Sequence, residues 1–422
     1  MTATAVDVPV CRLVRSLVRS LVRSLVRSLV CSLAVLLPGP VHADDGKGLQ
    51  RGASPDDVSI SGVSAGAAMA LQYAVAHSAS ITGVGAIAGP PWGCAEGLLG
   101  KSINACMCGR QPIAPKADVA RSLARERAID PLDASGRPRA LKRAYVFQSA
   151  SDATVVKQSG DASLAFLREF VGPETVADSG NAADGSDAAM HGILSPEGTD
   201  QCGIESGTDT YIRKCGAEDN AGKLLRALKA PGTRHDASLR HKNIPESDVW
   251  EFRQQPFIDA VKTTARPVSG DLPGGRPGPQ RANFDMAEKG YLYVPPACRK
   301  AGSQCDVHVA LHGCRQDARQ FAIRSGYNNW AEHYRTIIVY PAMKAGSDAL
   351  PGNVCRVEAF KFFVPPELEE RNPNGCWDWW GYLEAGWPRK PRYYTRDAPQ
   401  IQVIERIIFE VTRPVARETT GR

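Results

Sequence analysis

The stretch SISGVSAGAAMA, Ser59 to Ala70, holds Gly62-Val63-Ser64-Ala65-Gly66, one serine crowded by small residues. The preceding run DDVSIS (56–61) alternates toward a β-strand, and AGAAMALQYAVAHS (65–78) reads as an alanine-rich helix. A strand turning sharply into a helix at a serine, with glycine two residues to either side, presents that serine as a nucleophile. The helix N-terminus adds amide dipoles that stabilise negative charge beside Ser64. The competing reading is an ordinary glycine-rich turn, and partners for Ser64 elsewhere in the chain decide between the two.

A serine hydroxyl needs a base to take its proton, and the base needs an acid to hold its tautomer. RAYVFQSASD (143–152) reads as a strand that ends at Asp152, the expected acid. Downstream histidines are His191, His235, His241, His308, His312 and His333. His191, in AAMHGILS, sits among small apolar neighbours that suit an inward imidazole, whereas His235 and His241 lie among charges. His191 is therefore the expected base. In the usual order of an α/β-hydrolase a strand ending in His-Gly precedes the serine and supplies an oxyanion-binding amide. Here VHVALHGCRQ (307–316) has that form but follows the serine. The helical YNNWAEHY and the strand TIIVYP come after it. The first half of the fold thus stands second, which predicts a circular permutation with the helix 398–411 leading in space into the strand at 56–61. The fold class expected is α/β: a circularly permuted α/β-hydrolase with a mostly parallel sheet flanked by helices and stabilised by disulfides.

Other segments fit that plan. ITGVGAIAG (81–89) reads as a buried strand and DASLAFLREFV (161–171) as a helix. Residues 174–245 are polar and rich in Gly, Asp and Ser, and read as irregular insertions. PVSGDLPGGRPGPQ (267–280) reads as a Pro/Gly loop.

The chain has 422 residues, a formal charge of +6, 43% hydrophobic and 23% charged residues, as in soluble globular proteins. Residues 1–43 hold five arginines and one aspartate, so they carry most of that charge. The remainder is too nearly neutral to suggest nucleic acid or an anionic surface. Arginines before the apolar run Leu29–Leu37, then Pro38-Gly39-Pro40 and Ala43, describe an export signal cleaved after Ala43. That leaves 44–422 as a single catalytic domain. The tandem Arg-Ser-Leu-Val repeats within the signal suit a membrane-surface helix or reflect slippage in repetitive coding DNA. Ten of twelve cysteines follow residue 43, an even number behind an export signal, which predicts disulfides. Cys106-Met-Cys108 has no second close pair to make a zinc site, so no metal is expected. Close-spaced candidates are Cys298–Cys305 and Cys202–Cys215, with Cys94 joining Cys106 or Cys108.

GVSAGAAMA, the permuted order, LHGC, YNNWAE and NPNGCWDWWGY (372–382) together resemble the single-domain, circularly permuted poly(3-hydroxybutyrate) depolymerases, over roughly residues 48–412. The resemblance implies a secreted serine esterase acting on a polyester, without metal or organic cofactor. It implies Ser64, Asp152 and His191 as the triad, with the backbone amides of Ala65 and Cys314 as the oxyanion hole. Substrate-lining aromatics map onto Trp377, Trp379 or Trp380, although tryptophans are as readily core residues. The sequence departs from many secreted polyester depolymerases in that no linker and separate substrate-binding domain is expected after the catalytic unit, so binding to crystalline polymer is not implied. A monomer is expected, with no nucleic-acid or stable membrane partner. The competing functions are a feruloyl or acetyl esterase on plant polysaccharide and a non-catalytic polymer-binding protein.

Overall fold

The structure is a computed structural model. It describes residues 48–414 apart from 179–184, 207–208, 231, 235, 265–281, 301–302, 347–352, 363, 365–371, 373 and 385–390. The segment read as an export signal (1–43) and the one read as a Pro/Gly loop (267–280) lie outside the described residues.

Its strands in chain order are β1 Val58–Val63, β2 Gly83–Ile87, β3 Arg143–Phe147, β4 Val176–Asp178, β5 Ile193–Leu194, β6 Asp200–Gln201, β7 Ile212–Lys214, β8 Val249–Arg253, β9 Lys289–Tyr293, β10 Asp306–Leu311 and β11 Thr336–Tyr340. Eight form one sheet in the order β4-β3-β2-β1-β10-β11-β9-β8. It is parallel from β4 to β11, and β9 and β8 are antiparallel. The strand that leads to Ser64 is thus central, buried along its whole length. Both faces of such a strand must be apolar or internally satisfied. Ser59 and Ser61 meet this demand through His308 across the register, at 2.8 and 2.7 Å, and Ser61 also bonds Tyr327. His308 is a satisfied core residue.

The permutation is visible in the sheet. β1 pairs with β10 from Val58–Val307 to Gly62–Leu311, although β10 comes some 250 residues later. The helix Pro399–Thr412 ends beside the start of β1: Gly52 donates its amide to Arg413 O at 3.0 Å and Ala53 to Val411 O at 3.2 Å. Arg51 forms an ion pair with Glu410 at the same junction. The chain ends meet where an unpermuted fold would run straight through.

The described residues of 174–245 hold more regular structure than their composition predicts. They contain β4, a small sheet β5-β7-β6 and the helix Asn220–Leu228. Asp219 caps that helix, accepting from Gly222 N at 3.0 Å, and Leu224, Leu225 and Leu228 are buried. The strands β5, β6 and β7 are too short to show an alternating pattern; Ile193, Leu194 and Ile212 are buried against Leu224 and Leu225, and a disulfide and a buried arginine hold the strands as well. YNNWAE also proves to be scaffold. Trp330 donates its indole N–H to Asp219, and Asn328 accepts from the Tyr340 hydroxyl.

All ten described cysteines pair: Cys94–Cys106, Cys108–Cys355, Cys202–Cys215, Cys298–Cys305 and Cys314–Cys376. The short-range pairs agree with the spacing, and Cys94 takes Cys106.

Candidate active site

Ser64 stands between β1 and the helix Ala65–Ala76 with φ 57° and ψ −121°, a backbone region a side chain enters only at a cost of about 1–3 kcal/mol. Its neighbours explain why the turn can be so tight. A Cβ on Gly62 would lie 2.2 Å from the Gly66 carbonyl carbon, and one on Gly66 would lie 2.4 Å from the carbonyl oxygens of Leu311 and His312. Both glycines are thus required by backbone contact. The strain is held by hydrogen bonds: Ser64 N donates to Ile87 O at 2.9 Å, and Ala68 N to Ser64 O at 3.1 Å.

Asp152 follows β3 as expected and is buried with its carboxylate fully engaged. One oxygen accepts the amides of Thr154 and Val155, each at 2.9 Å. The other accepts from Gln148 Nε2 at 3.1 Å and from His191 Nδ1 at 2.8 Å. A carboxylate only accepts, so His191 carries its proton on Nδ1 and leaves Nε2 as a base. His191 is 4% exposed and lines the same cavity as Ser64. His241 is exposed, and His235 lies outside the described residues.

The segment that holds His191 depends on a residue the sequence did not single out. Arg213 on β7 is completely buried and donates to His191 O at 2.7 Å, Gln201 O at 3.1 Å, Ile204 O at 2.6 Å and Asp209 Oδ2 at 2.8 Å. One guanidinium therefore satisfies three carbonyls and a carboxylate around the histidine, beside the Cys202–Cys215 disulfide. In YIRKC nothing marks Arg213 as different from a surface arginine.

His312, Gly313 and Cys314 leave β10 directly over the serine turn. A Cβ on Gly313 would lie 3.1 Å from Ser64 Cβ and 3.2 Å from Val63 O, so there is little room for a side chain between the two segments. The Cys314 amide has no protein acceptor among the described residues. Ala65 opens the helix, where first-turn amides lack an intrahelical partner. Two unspent donors thus flank Ser64, the arrangement an oxyanion hole requires. His312 fixes the segment: its Nδ1 donates to Gly313 O at 2.8 Å and its Nε2 accepts from Met343 N at 3.0 Å. Burial lowers its pKa to about 4, so it stays neutral in this role. Gln316 ties the segment to the histidine side, accepting from Gly313 N at 2.6 Å and donating to Thr210 O at 2.9 Å.

The cavity over Ser64 is walled by Leu99, Ile103, Met107, Val155, Trp379 and Trp380, with Ser64, Ala65, His191 and Cys314 on its floor. Trp377 is not among its lining residues. It is wholly buried, and its indole N–H donates to His312 O at 2.9 Å. Of the three tryptophans read as substrate contacts, Trp377 is therefore placed in the support of the Cys314 segment, and the disulfide Cys314–Cys376 reinforces it. Trp379 and Trp380 pack edge to face at 5.7 Å and serve both core and cavity wall.

The sheet, its permuted connections and the serine elbow define a circularly permuted α/β-hydrolase. The solved structures that this fold resembles are a PHB depolymerase in complex with an R3HB trimer (TM-score 0.61) and the PHB depolymerase from Penicillium funiculosum (TM-score 0.62). Each is 24% identical, with 86% of this chain and 98% of the other covered. In sequence the chain is 27% identical over 362 residues to a poly(3-hydroxybutyrate) depolymerase of Delftia acidovorans and 28% identical over 336 residues to a polyhydroxybutyrate depolymerase of Talaromyces funiculosus. These matches take in 84% and 78% of this chain. They span 59% of the Delftia protein and 83% of the Talaromyces protein. No model of a protein family matches the chain. In sequence and in fold the chain is thus similar to poly(3-hydroxybutyrate) depolymerases.

Proposed function

We propose that the protein is an exported serine esterase that hydrolyses poly(3-hydroxybutyrate) to monomer or short oligomers. The observation that carries this reading is the Asp152–His191 pair at 2.8 Å, opening on an apolar cavity that also holds the strained Ser64. Ser64 Oγ attacks the ester carbonyl while His191 Nε2 takes its proton, and Asp152 holds the imidazole and the charge it gains. The amides of Ala65 and Cys314 bind the oxyanion, a contribution typically worth 10²–10³ in rate per donor. His191 then returns the proton to the departing alcohol, leaving an acyl-enzyme. Water, deprotonated by the same imidazole, releases the acid and restores Ser64.

The apolar wall suits a polyester, which offers mostly methyl, methylene and ester groups. Five disulfides support export to an oxidising compartment. The relatives' names support the polymer as substrate. The test compares clearing of a poly(3-hydroxybutyrate) suspension with release of ferulate from methyl ferulate. Clearing is expected, and cleavage of methyl ferulate alone would assign a feruloyl esterase instead. A fluorophosphonate adduct on Ser64 is expected as well. A folded protein without that adduct would be a polymer binder.

A further inference from the structure

Arg315 follows the Cys314 amide directly. Its own amide donates to Asn374 O at 2.8 Å, and its φ of 63° is an unfavoured left-handed value. With the Cys314–Cys376 bridge beside it, the backbone that carries this side chain is pinned on both sides. Arg315 is exposed, and its guanidinium has no ion pair or hydrogen bond among the described residues. That sets it apart from Arg213, Arg240, Arg299 and Arg319, each of which meets a carboxylate.

Its place is equally specific. Arg315 lines the cavity above Ser64, and it is the one permanently charged side chain among the described residues that do so. Among the described residues no aspartate or glutamate lines that cavity. Arg315 and Asn374 also border an adjoining, more polar cavity that includes Lys344 and Asp317, and Asp317 is engaged in capping Gln320 N at 2.7 Å. An unpaired cation beside the reacting serine, in an otherwise apolar site, calls for a ligand with one anionic group and an apolar body.

A hydroxyalkanoate polyester has that character only at one place. Its repeating units are neutral, and its single formal charge is the carboxylate at the acid end. We propose that Arg315 binds this terminal carboxylate, so that the enzyme favours short chains with a free acid end over the same chains capped as esters. This rests on the esterase reading above. A guanidinium fork matches a carboxylate in two parallel hydrogen bonds, which a lysine cannot reproduce. Because the pair is exposed, its effect on kcat/KM is about fivefold, and added salt weakens it.

The test measures kcat/KM on the 3-hydroxybutyrate trimer as free acid and as methyl ester. The native protein is expected to favour the acid about fivefold, mainly through KM, with the preference shrinking in high salt. Arg315→Gln is expected to bring the ratio near unity, Arg315→Lys to keep part of it, and Arg315→Glu to favour the methyl ester. A ratio is insensitive to partial loss of active protein, so a merely structural role for Arg315 would not move it. Equal rates on both substrates with the native protein, or a preference that persists in Arg315→Gln, would overturn the proposal while leaving the esterase reading intact. Cleavage of neither trimer would overturn both.

Discussion

Gly66 and His312 touch through their backbones: a single methyl group on Gly66 would lie 2.4 Å from the His312 carbonyl oxygen. These residues belong to the serine turn and to the segment that leaves β10, far apart in the chain, and the contact sets their spacing. Gly66→Ala must push β10 and the helix Ala65–Ala76 apart. The expected result is a loss of stability on the order of 3 kcal/mol in denaturant melts, with esterase activity nearly abolished. Native stability in this variant would show that the contact is not close-packed.

The triad makes a graded prediction. Ser64→Ala is expected to lower turnover of p-nitrophenyl butyrate by roughly 10⁴–10⁶-fold with the melting temperature near native. Asp152→Asn is expected to lower it by about 10⁴-fold, since the imidazole tautomer is then wrong. His191→Ala is expected to be as inactive as Ser64→Ala. His241→Ala, at an exposed position, should keep native rates, and its inactivity would remove His191 as the base.

The tryptophans should separate by role. Trp377→Ala removes a wholly buried ring and the donor to His312 O, so stability should fall by about 3–5 kcal/mol and activity should drop on every substrate. Trp379→Phe and Trp380→Phe conserve most of the core contact and change the cavity wall. At least one of them is expected to lose polymer hydrolysis several-fold more than p-nitrophenyl butyrate hydrolysis. Equal losses on both substrates, for both variants, would make these rings core alone.

Stability should depend on pH through two buried histidines. Burial holds His308 down at about 3 and His312 at about 4, against roughly 6.5 in an unfolded chain. Between those values the unfolded chain takes up protons that the fold refuses, so stability is complete above about pH 6.5 and falls as pH is lowered toward 4. Melting temperatures from pH 7.5 to 4.5 should decline, and less steeply in His308→Gln than in the native protein. Parallel slopes for the two proteins would assign the decline to other groups.

Much of the site was legible because it is written in local backbone demands. A sharp strand-to-helix turn needs glycines at fixed offsets from its serine, so Gly62, Ser64 and Gly66 announce themselves. Asp152 is marked by the strand end before it. LHGC is recognisable by form even when its place in the chain has moved, and that displacement revealed the permutation. Cys202–Cys215 and Cys298–Cys305 close short loops, so spacing alone suggested them.

What the sequence by itself determined, then, are features set within a few residues of the chain: the elbow, the elements around it and the short disulfide loops. Only the tertiary structure decided which distant residues complete them. Arg213 becomes the support of His191 because burial brings three carbonyls and Asp209 around it. Cys314 finds Cys376, and Trp377 turns inward while Trp379 and Trp380 face the cavity, within a run of sequence that treats all three alike. The order within 174–245 was hidden for the same reason. Its strands are two or three residues long, too short for their few buried apolar residues to show a period, and the guanidinium and disulfide that also hold them are partners chosen by three-dimensional proximity.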